Sequence, residues 1–231
     1  MSVALINGPY RSLVAYIGAA EEVTVENINT VTKNCDLLDT VQVFYMEGFF
    51  LPKRDETAKY ILNVCKQKRK LFCFNLSAPY VCDTQGELVK YFVERCDILI
   101  GNEKEYTALM PILFNDTSNL KEFVVSLSKM GGNTEWKHGK IILVTNGSKS
   151  IICAYGRGKV EEMNVPRFDP NLIKDTTGAG DAFAAGFLAA IVSERPINMC
   201  LAWGCAAARE IIQEVGCKIP EHAPNMTKLE T

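Results

Sequence analysis

The sequence of 231 residues predicts a three-layer α/β fold, in which a mostly parallel sheet lies between two layers of helices. Short apolar runs rich in β-branched residues alternate along the chain with longer stretches of helical periodicity. Most of the short runs are apolar without interruption, which is typical of strands covered on both faces. A β-α-β-α order with right-handed crossovers accounts for this pattern.

The elements follow from these patterns in chain order. The predicted strands are residues 3–7, 41–46, 71–76, 97–101, 141–146 and 150–156. The predicted helices are residues 12–20, 54–69, 85–95, 103–110, 118–131, 179–193 and 197–215, the last ended by Gly216. Residues 131–140 read as a surface loop, 146–150 as a tight turn pairing the last two strands, and the polar tail after Pro220 as loosely held.

Composition excludes several classes of function. The net charge of −2 and the lack of a basic run interleaved with aromatics argue against a nucleic-acid partner. No apolar stretch approaches the length of a membrane span, and the first residues do not resemble a signal peptide. The nine cysteines are scattered and form no CxxC pair, so we expect reduced, mostly buried thiols in a cytosolic protein.

One stretch, DTTGAGDAFAAGF at 175–187, carries chemistry. Gly178, Ala179 and Gly180 leave the backbone bare where a helix begins, so an anion can approach the unpaired N–H groups and the positive end of the helix dipole. Asp181 follows in the first turn. It is either a residue that compensates the dipole or a base that takes a proton from a hydroxyl beside a phosphoryl donor.

Two common nucleotide motifs do not match this chain. GAGDAF has Phe183 where the dinucleotide fingerprint needs its third glycine, and NGSKS lacks the upstream glycine of a Walker A loop. Phosphate chemistry in this protein therefore needs another scaffold.

DTTGAGDAFAAGF resembles the C-terminal signature of the ribokinase-like (PfkB) carbohydrate and nucleoside kinases. The resemblance implies that the GAGD turn forms an anion hole and that Asp181 is the catalytic base. ILIGNEKE at 98–105 also contains the NxxE pattern of this family, as Asn102 and Glu105. In the family this pair helps to place magnesium and the nucleotide phosphates, largely through water. Without the family match, NxxE indicates a helix cap with an exposed Glu.

Four further stretches, RSLVA, GFFLP, FNLSAPY and ILIGNE, are more similar to the adenosine kinase branch than to the sugar kinases. By this resemblance Arg11 contacts the transferring phosphate, Phe49 lies near the purine and Asn75 lines the catalytic cleft. VTNGS resembles the stretch that holds ATP, which is carried here by Thr145, Asn146 and Gly147. The alternatives are a surface ion pair for Arg11 and core packing for Phe49 and Phe50.

The resemblance implies a single ribokinase-like domain over residues 1–231 that transfers the γ-phosphate of Mg-ATP to the 5′-hydroxyl of adenosine and forms AMP. Its cofactors are ATP and Mg²⁺, with Glu105 acting on the metal through water. It implies a cytoplasmic protein, with the nucleus as a second location, and neither nucleic-acid nor membrane partners. The complete fold implies a monomer.

The sequence also departs from the family. Members carry an N-terminal region that supplies the first strands of the sheet, a small β lid and an aspartate that grips the ribose, and we expect this chain to lack them. Glu47 and Tyr16 stand where the family usually has a small residue and an asparagine. Exposed sheet edges would then favour self-association, and an open site would favour ATP hydrolysis.

Three alternatives follow from this departure: an incomplete form of a longer enzyme, a short form with weak activity, and a non-catalytic relative that binds a nucleotide and regulates. A related sugar kinase is the further enzymatic alternative.

Overall fold

The computed structural model of the protein describes residues 2–7, 10–33, 37–114, 119–133 and 135–218. The strands are β1 (Ser2–Asn7), β2 (Tyr10–Ala15), β3 (Val43–Glu47), β4 (Leu71–Asn75), β5 (Ile98–Asn102), β6 (Ile141–Thr145), β7 (Ser150–Tyr155) and β8 (Lys159–Asn164). The helices are α1 (Val25–Lys33), α2 (Leu37–Thr40), α3 (Asp55–Gln67), α4 (Pro79–Arg95), α5 (Glu103–Leu113), α6 (Leu120–Ser128), α7 (Ala179–Val192) and α8 (Ile197–Ile211).

The chain divides into two compact units. Ile17–Glu162 form the first, called the sheet unit below. Met1–Tyr16 together with Met163–Thr231 form the second, called the two-helix unit because it contains α7 and α8. The prediction of a single domain over residues 1–231 stays a prediction.

A six-stranded sheet in the order β3-β4-β5-β6-β7-β8 organises the sheet unit. β3, β4, β5 and β6 are parallel, and β7 runs antiparallel to β6. Helices flank this mostly parallel sheet, which confirms the predicted α/β class. Because the parallel strands are connected in sequence, the loops that follow β3, β4, β5 and β6 all leave from the same edge.

The core of the sheet unit explains why its strands are apolar throughout. Four of the five residues in each of β4, β5 and β6 are buried. On one side Phe92 of α4 stacks on Phe72 and Phe74 of β4, with ring centroids 5.9 Å and 5.4 Å apart. Aromatic pairs of this kind add to the stabilisation that burial alone provides. The continuous apolar runs therefore predicted two-sided burial correctly.

In the two-helix unit, α7 and α8 pack at close range. A Cβ atom at Gly186 of α7 would lie 2.6 Å from the backbone oxygen of Trp203 in α8. A Cβ atom at Gly204 of α8 would lie 2.7 Å from the ring of Phe183 in α7. The two helix backbones can approach this closely only because neither glycine carries a side chain.

The helix predicted over residues 12–20 is wrong. Residues Tyr10–Ala15 form β2, which pairs antiparallel with β1 in a separate two-stranded sheet, and Gly18–Glu22 form a short 3-10 helix. The strand predicted at 3–7 therefore exists but does not join the main sheet. The sequence Asn-Gly-Pro between the strands favours a hairpin, and cross-strand pairing then overrides local helix propensity.

Other boundaries also differ from the prediction. α4 begins at Pro79 rather than at residue 85, and it is interrupted at Gln85, whose φ of −123° and ψ of 25° are not helical. α8 ends at Ile211, so Gly216, with φ of +75°, does not end it. The turn at 146–150 does join two antiparallel strands, β6 and β7, but β8 follows, so they are not the last pair. Helix α1 and strand β8 were not predicted.

Several remaining expectations can be compared with the structure. Free, buried cysteines are confirmed at six positions, namely Cys65, Cys73, Cys82, Cys96, Cys153 and Cys200. Cys217 is exposed, while Cys35 and the tail after Pro220 lie outside the described residues. None of the helices in the described ranges has the length and apolar character that a membrane crossing requires.

Candidate active site

Polar residues collect at the carboxyl edge of the main sheet. Asn75 ends β4, Asn102 ends β5 and Thr145 ends β6. Asn102 lies directly opposite Thr145 in the register, and Asn75 lies opposite Glu47 at the end of β3. The structure thus places three of the predicted site residues on one edge of the sheet unit, where ligands bind in open parallel sheets.

The NxxE pair forms a complete capping box at the start of α5. The Asn102 side chain accepts a hydrogen bond from the Glu105 backbone N–H at 3.0 Å, and Glu105 Oε2 accepts one from the Asn102 backbone N–H at 2.9 Å. Asn102 Nδ2 also donates to Glu105 Oε1 at 2.6 Å. The alternative interpretation of NxxE as a helix cap is therefore realised, and it fixes both side chains in one orientation.

Glu105 is buried, with 5% of its surface exposed, whereas the capping alternative expected an exposed side chain. A buried carboxylate needs hydrogen-bond donors, and Asn102 supplies two of them. Burial, followed by the charge of Glu105, raises the pKa of the neighbouring Cys82 thiol to about 12, so no thiolate forms beside this carboxylate at neutral pH.

This arrangement fits magnesium only indirectly. The described ranges contain no group of three or more His, Cys, Asp or Glu side chains that could hold a metal ion. Both Glu105 oxygens accept hydrogen bonds, yet each carboxylate oxygen has a further acceptor position. Magnesium keeps several of its waters and takes most other ligands from substrate phosphates, so one or two carboxylates suffice.

Asn75 is held by a short polar chain that sequence reasoning missed. It is 8% exposed, and its Nδ2 donates to the Tyr45 hydroxyl at 2.8 Å. The Tyr45 hydroxyl donates in turn to Glu47 Oε1 at 3.2 Å, so the unusual Glu47 is paired rather than buried bare. Ser77 N–H donates to Asn75 Oδ1 at 3.1 Å. The signal in the sequence was the alternation of Tyr45 and Glu47, which places both on one face of β3.

The two phenylalanines after β3 have different surroundings. Phe50 packs against the core cluster of the sheet unit, as the core-packing alternative expected. Phe49 is 44% exposed, and its ring centroid lies 6.2 Å from that of Tyr80, which is also exposed. Phe49 and Tyr80 therefore form an aromatic pair near the carboxyl edge, and Tyr80 is a second residue that sequence reasoning missed.

The turn between β6 and β7 contains the residues predicted to hold ATP. Thr145 Oγ1 donates to the Gly101 carbonyl at 3.4 Å. Lys149 N–H donates to the Asn146 carbonyl at 3.0 Å, which closes the turn. Gly147 has φ of +55°, a left-handed conformation that favours glycine, and no heavy atom lies within 4 Å of where its Cβ would be. The turn is thus open to an approaching ligand.

The GAGD turn lies in the two-helix unit and starts α7. Gly178 is the N-cap residue in the left-handed conformation, with φ of +79° and ψ of 1°. The first bond within the helix runs from Ala182 N–H to the Gly178 carbonyl at 2.9 Å. Gly180 is exposed, and a Cβ there would meet nothing within 4 Å. Asp181 is exposed in the first turn, so its carboxylate is not locked into core packing.

Asp175 holds this turn in place through hydrogen bonds of its carboxylate. Its Oδ1 accepts hydrogen bonds from Thr177 N–H at 2.9 Å and from Thr177 Oγ1 at 2.7 Å. Its Oδ2 accepts one from Gly216 N–H at 3.0 Å. The carboxylate thereby ties the turn to the segment after α8. Asp-Thr-Thr before a glycine turn is a sequence signal for the local part of this bracing, but not for the bond to Gly216.

Arg11 lies in β2 of the two-helix unit, and its side chain is outside the described residues. The predicted residues therefore fall into two sets. Those on the carboxyl edge belong to the sheet unit, while Gly178, Ala179, Gly180 and Asp181 belong to the two-helix unit.

Comparison with known proteins gives consistent matches. The profile described as pfkB family carbohydrate kinase matches residues 2–224. Among curated proteins, adenosine kinase 2 of Arabidopsis thaliana is 29% identical over 214 residues, which cover 93% of this chain and 61% of that protein.

Two solved structures extend this comparison. Anopheles gambiae adenosine kinase in complex with P1,P4-di(adenosine-5) tetraphosphate superposes with a TM-score of 0.84 at 33% identity, covering 94% of this chain and 63% of that one. Schistosoma mansoni adenosine kinase in complex with 2-fluoroadenosine gives a TM-score of 0.84 at 27% identity, covering 95% and 64%. The chain thus spans less than two thirds of the length of these relatives.

Proposed function

Since this chain belongs to the pfkB family of carbohydrate kinases, we propose that its chemistry is phosphoryl transfer from ATP to an alcohol. The acceptor in this proposal is the 5′-hydroxyl of adenosine, and the products are AMP and ADP. The observation that carries the proposal is the start of α7, where left-handed Gly178 and open Gly180 leave the backbone accessible beside the exposed Asp181. Similarity to adenosine kinases supports the choice of acceptor.

The proposal assigns the proton transfer to Asp181. Its carboxylate accepts the proton of the 5′-hydroxyl while that oxygen forms a bond to the γ-phosphorus. The bond between the γ-phosphorus and the bridging oxygen breaks, and its electron pair leaves with ADP. Asp181 is exposed in the first turn of α7, where its carboxylate is accessible to an alcohol that binds at the turn.

The proposal assigns the stabilisation of negative charge on the transferring phosphoryl group to the backbone around Gly178, Ala179 and Gly180 and to the Arg11 guanidinium. N–H groups in the first turn of a helix have no acceptor within it and carry the positive end of its dipole, so they stabilise negative charge that develops nearby. Because Asp175 holds the turn through Thr177 and Gly216, these donors are fixed before the phosphate arrives.

The sheet unit is assigned the binding of nucleotide and acceptor. Thr145, Asn146 and Gly147 would hold ATP, and Asn102 with Glu105 would hold Mg²⁺ through water. When bound, the ion would neutralise charge on the phosphate oxygens. Acceptor binding is assigned to two further residues, Phe49 against the purine and Asn75 in the cleft.

The direct test measures AMP formation from adenosine and Mg-ATP by the purified 231-residue protein. Asp181→Asn preserves the size of the side chain but removes its basicity, so AMP formation is expected to fall by about 10²- to 10⁴-fold. Circular dichroism and thermal melting of the variant should match those of the unchanged protein, because Asp181 is exposed. Near-normal turnover by a folded Asp181→Asn variant would remove this residue from the reaction.

Two alternatives are separated by the same assay. The family description as carbohydrate kinases favours a sugar acceptor, so adenosine should be competed against ribose and fructose. The second alternative is a nucleotide-binding protein without turnover. ATP binding by calorimetry without formation of AMP or a sugar phosphate would support that second function.

A further inference from the structure

A cleft of about 620 Å³ lies in the sheet unit away from the carboxyl edge. It opens where β4 and β5 begin, between the ends of α3 and α4 and the loop after α6. Its volume is within the range of about 300 to 1,000 Å³ that is typical of sites for small molecules. Its lining residues are Leu62, Asn63, Lys66, Arg69, Lys70, Tyr91, Arg95, Gly132, Asn133 and Glu135.

The cleft is strongly basic in a protein whose net charge is −2. Four of its lining residues are cations, and Glu135 is its one acidic lining residue. Lys66 is neutralised by the buried Asp97, since its Nζ lies 2.9 Å from both carboxylate oxygens. The remaining cations are Arg69, Lys70 and Arg95. Lys70 Nζ donates to a backbone carbonyl at 2.7 Å, which leaves its charge in place.

Arg69 occupies a position that ordinarily belongs to glycine. It follows α3 with φ of +53°, in the left-handed region, where a side chain other than glycine strains the backbone. It is exposed, and within the described ranges its guanidinium has no hydrogen-bond or ion-pair partner. Because glycine adopts this conformation without strain, replacing Arg69 by glycine removes the guanidinium without a cost in backbone strain.

Arg95 is held in place before any ligand binds. Its guanidinium carbon lies 4.0 Å from the centroid of the Tyr91 ring, and its Nη1 donates to the Tyr91 carbonyl at 3.1 Å. Nη1 also lies 3.2 Å from a Glu94 carboxylate oxygen, which is only a partial neutralisation because both side chains are partly exposed to solvent. A stacked guanidinium loses little freedom when it pairs with an anion.

Cations near helix ends are often present only to satisfy the last carbonyls. That explanation accounts for Lys70, which donates to the Asp39 carbonyl at the end of α2, but not for Arg69, because the backbone of α3 already satisfies its own end. Arg69 N–H donates to the Lys66 carbonyl, and Lys70 N–H donates to the Cys65 carbonyl, both at 3.0 Å. At the end of α4, the buried Lys140 donates to the Val93 carbonyl. The Arg69 side chain therefore remains for another partner, while Lys70 contributes its charge.

We propose that this basic cleft binds a small phosphate-bearing anion, separately from the kinase site. Arg69 and Arg95 present planar forks of N–H donors that match phosphate oxygens, and Lys70 adds a compact charge. The charge of the cleft suits a multivalent anion better than a single phosphate, because Arg69, Lys70 and Arg95 line it with one carboxylate, Glu135, and Glu94 offsets only part of the Arg95 charge.

The probe is inorganic tripolyphosphate, titrated into the 231-residue protein by isothermal calorimetry at low salt. We expect Arg69→Gly to weaken its binding by about tenfold or more, since a charge-assisted contact is lost. This variant should not melt earlier than the unchanged protein, because glycine relieves the left-handed backbone.

Arg157→Gly is the matched control. Arg157 is an exposed arginine with φ of +63° in the turn after β7, so the change removes the same charge and the same strain elsewhere. Gly180→Asp places a carboxylate in the open GAGD turn and should abolish phosphate binding there while leaving the cleft unaffected. Loss of binding at the GAGD turn and loss of binding in the cleft can therefore be measured separately.

Three results would overturn the proposal: no binding of tripolyphosphate by the unchanged protein, equal weakening by Arg157→Gly and Arg69→Gly, or loss of all binding in Gly180→Asp. The first would show that the cations serve only the helix ends. The second would indicate a general charge effect, and the third would place all binding at the GAGD turn.

Discussion

Two glycines separated by one alanine do different things in the GAGD turn. Gly178 needs the left-handed conformation and also lies close to the segment after α8, since its Cβ would be 2.7 Å from Cys217 Sγ. Gly180 needs neither, because the space around its Cβ position is empty. The first glycine is thus required by the fold of the turn, while the second keeps the turn open to a ligand.

This difference predicts that two alanine substitutions change the stability by different amounts. Gly178→Ala should lower the free energy of unfolding by about 1–3 kcal/mol, from left-handed strain and overpacking against Cys217. Gly180→Ala should change it by less than about 1 kcal/mol, because alanine favours a helix and meets no atom. Urea unfolding curves of both variants measure the effect.

A third variant checks the cause of the first result. Gly178→Ala combined with Cys217→Ala should recover part of the lost stability, since the sulfur that faces the new methyl group is gone. Equal stability of Gly178→Ala and Gly180→Ala would contradict the distinction between the two glycines.

At the residue scale, the sequence indicated the site through patterns that are local. Asn102 and Glu105 are three residues apart, so their pairing could be expected, although the burial of Glu105 could not, because it depends on the packing of α5. Asp175 was visible within the motif, yet one of its partners, Gly216, lies 41 residues further along the chain. Tyr45 reaches Asn75 across 30 residues. Contacts at such separations leave no local periodicity.

At the scale of elements, burial on both faces made the central strands of the main sheet predictable. β4, β5 and β6 are apolar up to their last residue because helices and neighbouring strands surround them. β2 could not be recognised in the same way, since its identity depends on pairing with β1 and not on two-sided burial. Likewise β8 has exposed and half-buried residues throughout, so its sequence lacks an apolar run.

The close packing of α7 and α8 reverses the usual effect of replacing a helical glycine. Alanine in place of glycine within a helix ordinarily stabilises by up to about 1 kcal/mol. At Gly186 the new methyl carbon would lie 2.6 Å from the Trp203 carbonyl oxygen and 2.9 Å from Ala207 Cβ, so the helices must separate. We expect Gly186→Ala to destabilise the protein by about 1–3 kcal/mol in thermal unfolding.

Ala189→Leu provides the control for this prediction. Ala189 lies on the exposed side of α7, so a larger side chain there should change stability by less than about 0.5 kcal/mol. A Gly186→Ala variant as stable as the unchanged protein would show that α7 and α8 do not approach as closely as their backbones indicate.

For the whole molecule, the important feature is that the main core is confined to the sheet unit. The core cluster and the hydrophobic residues packed against it all lie between Phe44 and Val160, within Ile17–Glu162. The prediction of a single domain over residues 1–231 was based on the resemblance to the kinase family. A resemblance in sequence does not show where the packing contacts are concentrated.

A unit with its own core should fold by itself. We expect a fragment of residues 17–162 to be monomeric at low concentration and to unfold in one cooperative transition, measured by circular dichroism and fluorescence. The edge strand β3 carries the exposed Tyr45, so the fragment should self-associate as its concentration rises.

The core variant Phe92→Ala of this fragment should have a free energy of unfolding lower by about 3–5 kcal/mol, because the Phe92 ring packs on both Phe72 and Phe74. Unfolding without a transition, or a Phe92→Ala fragment as stable as its parent, would show that the sheet unit needs the rest of the chain to fold.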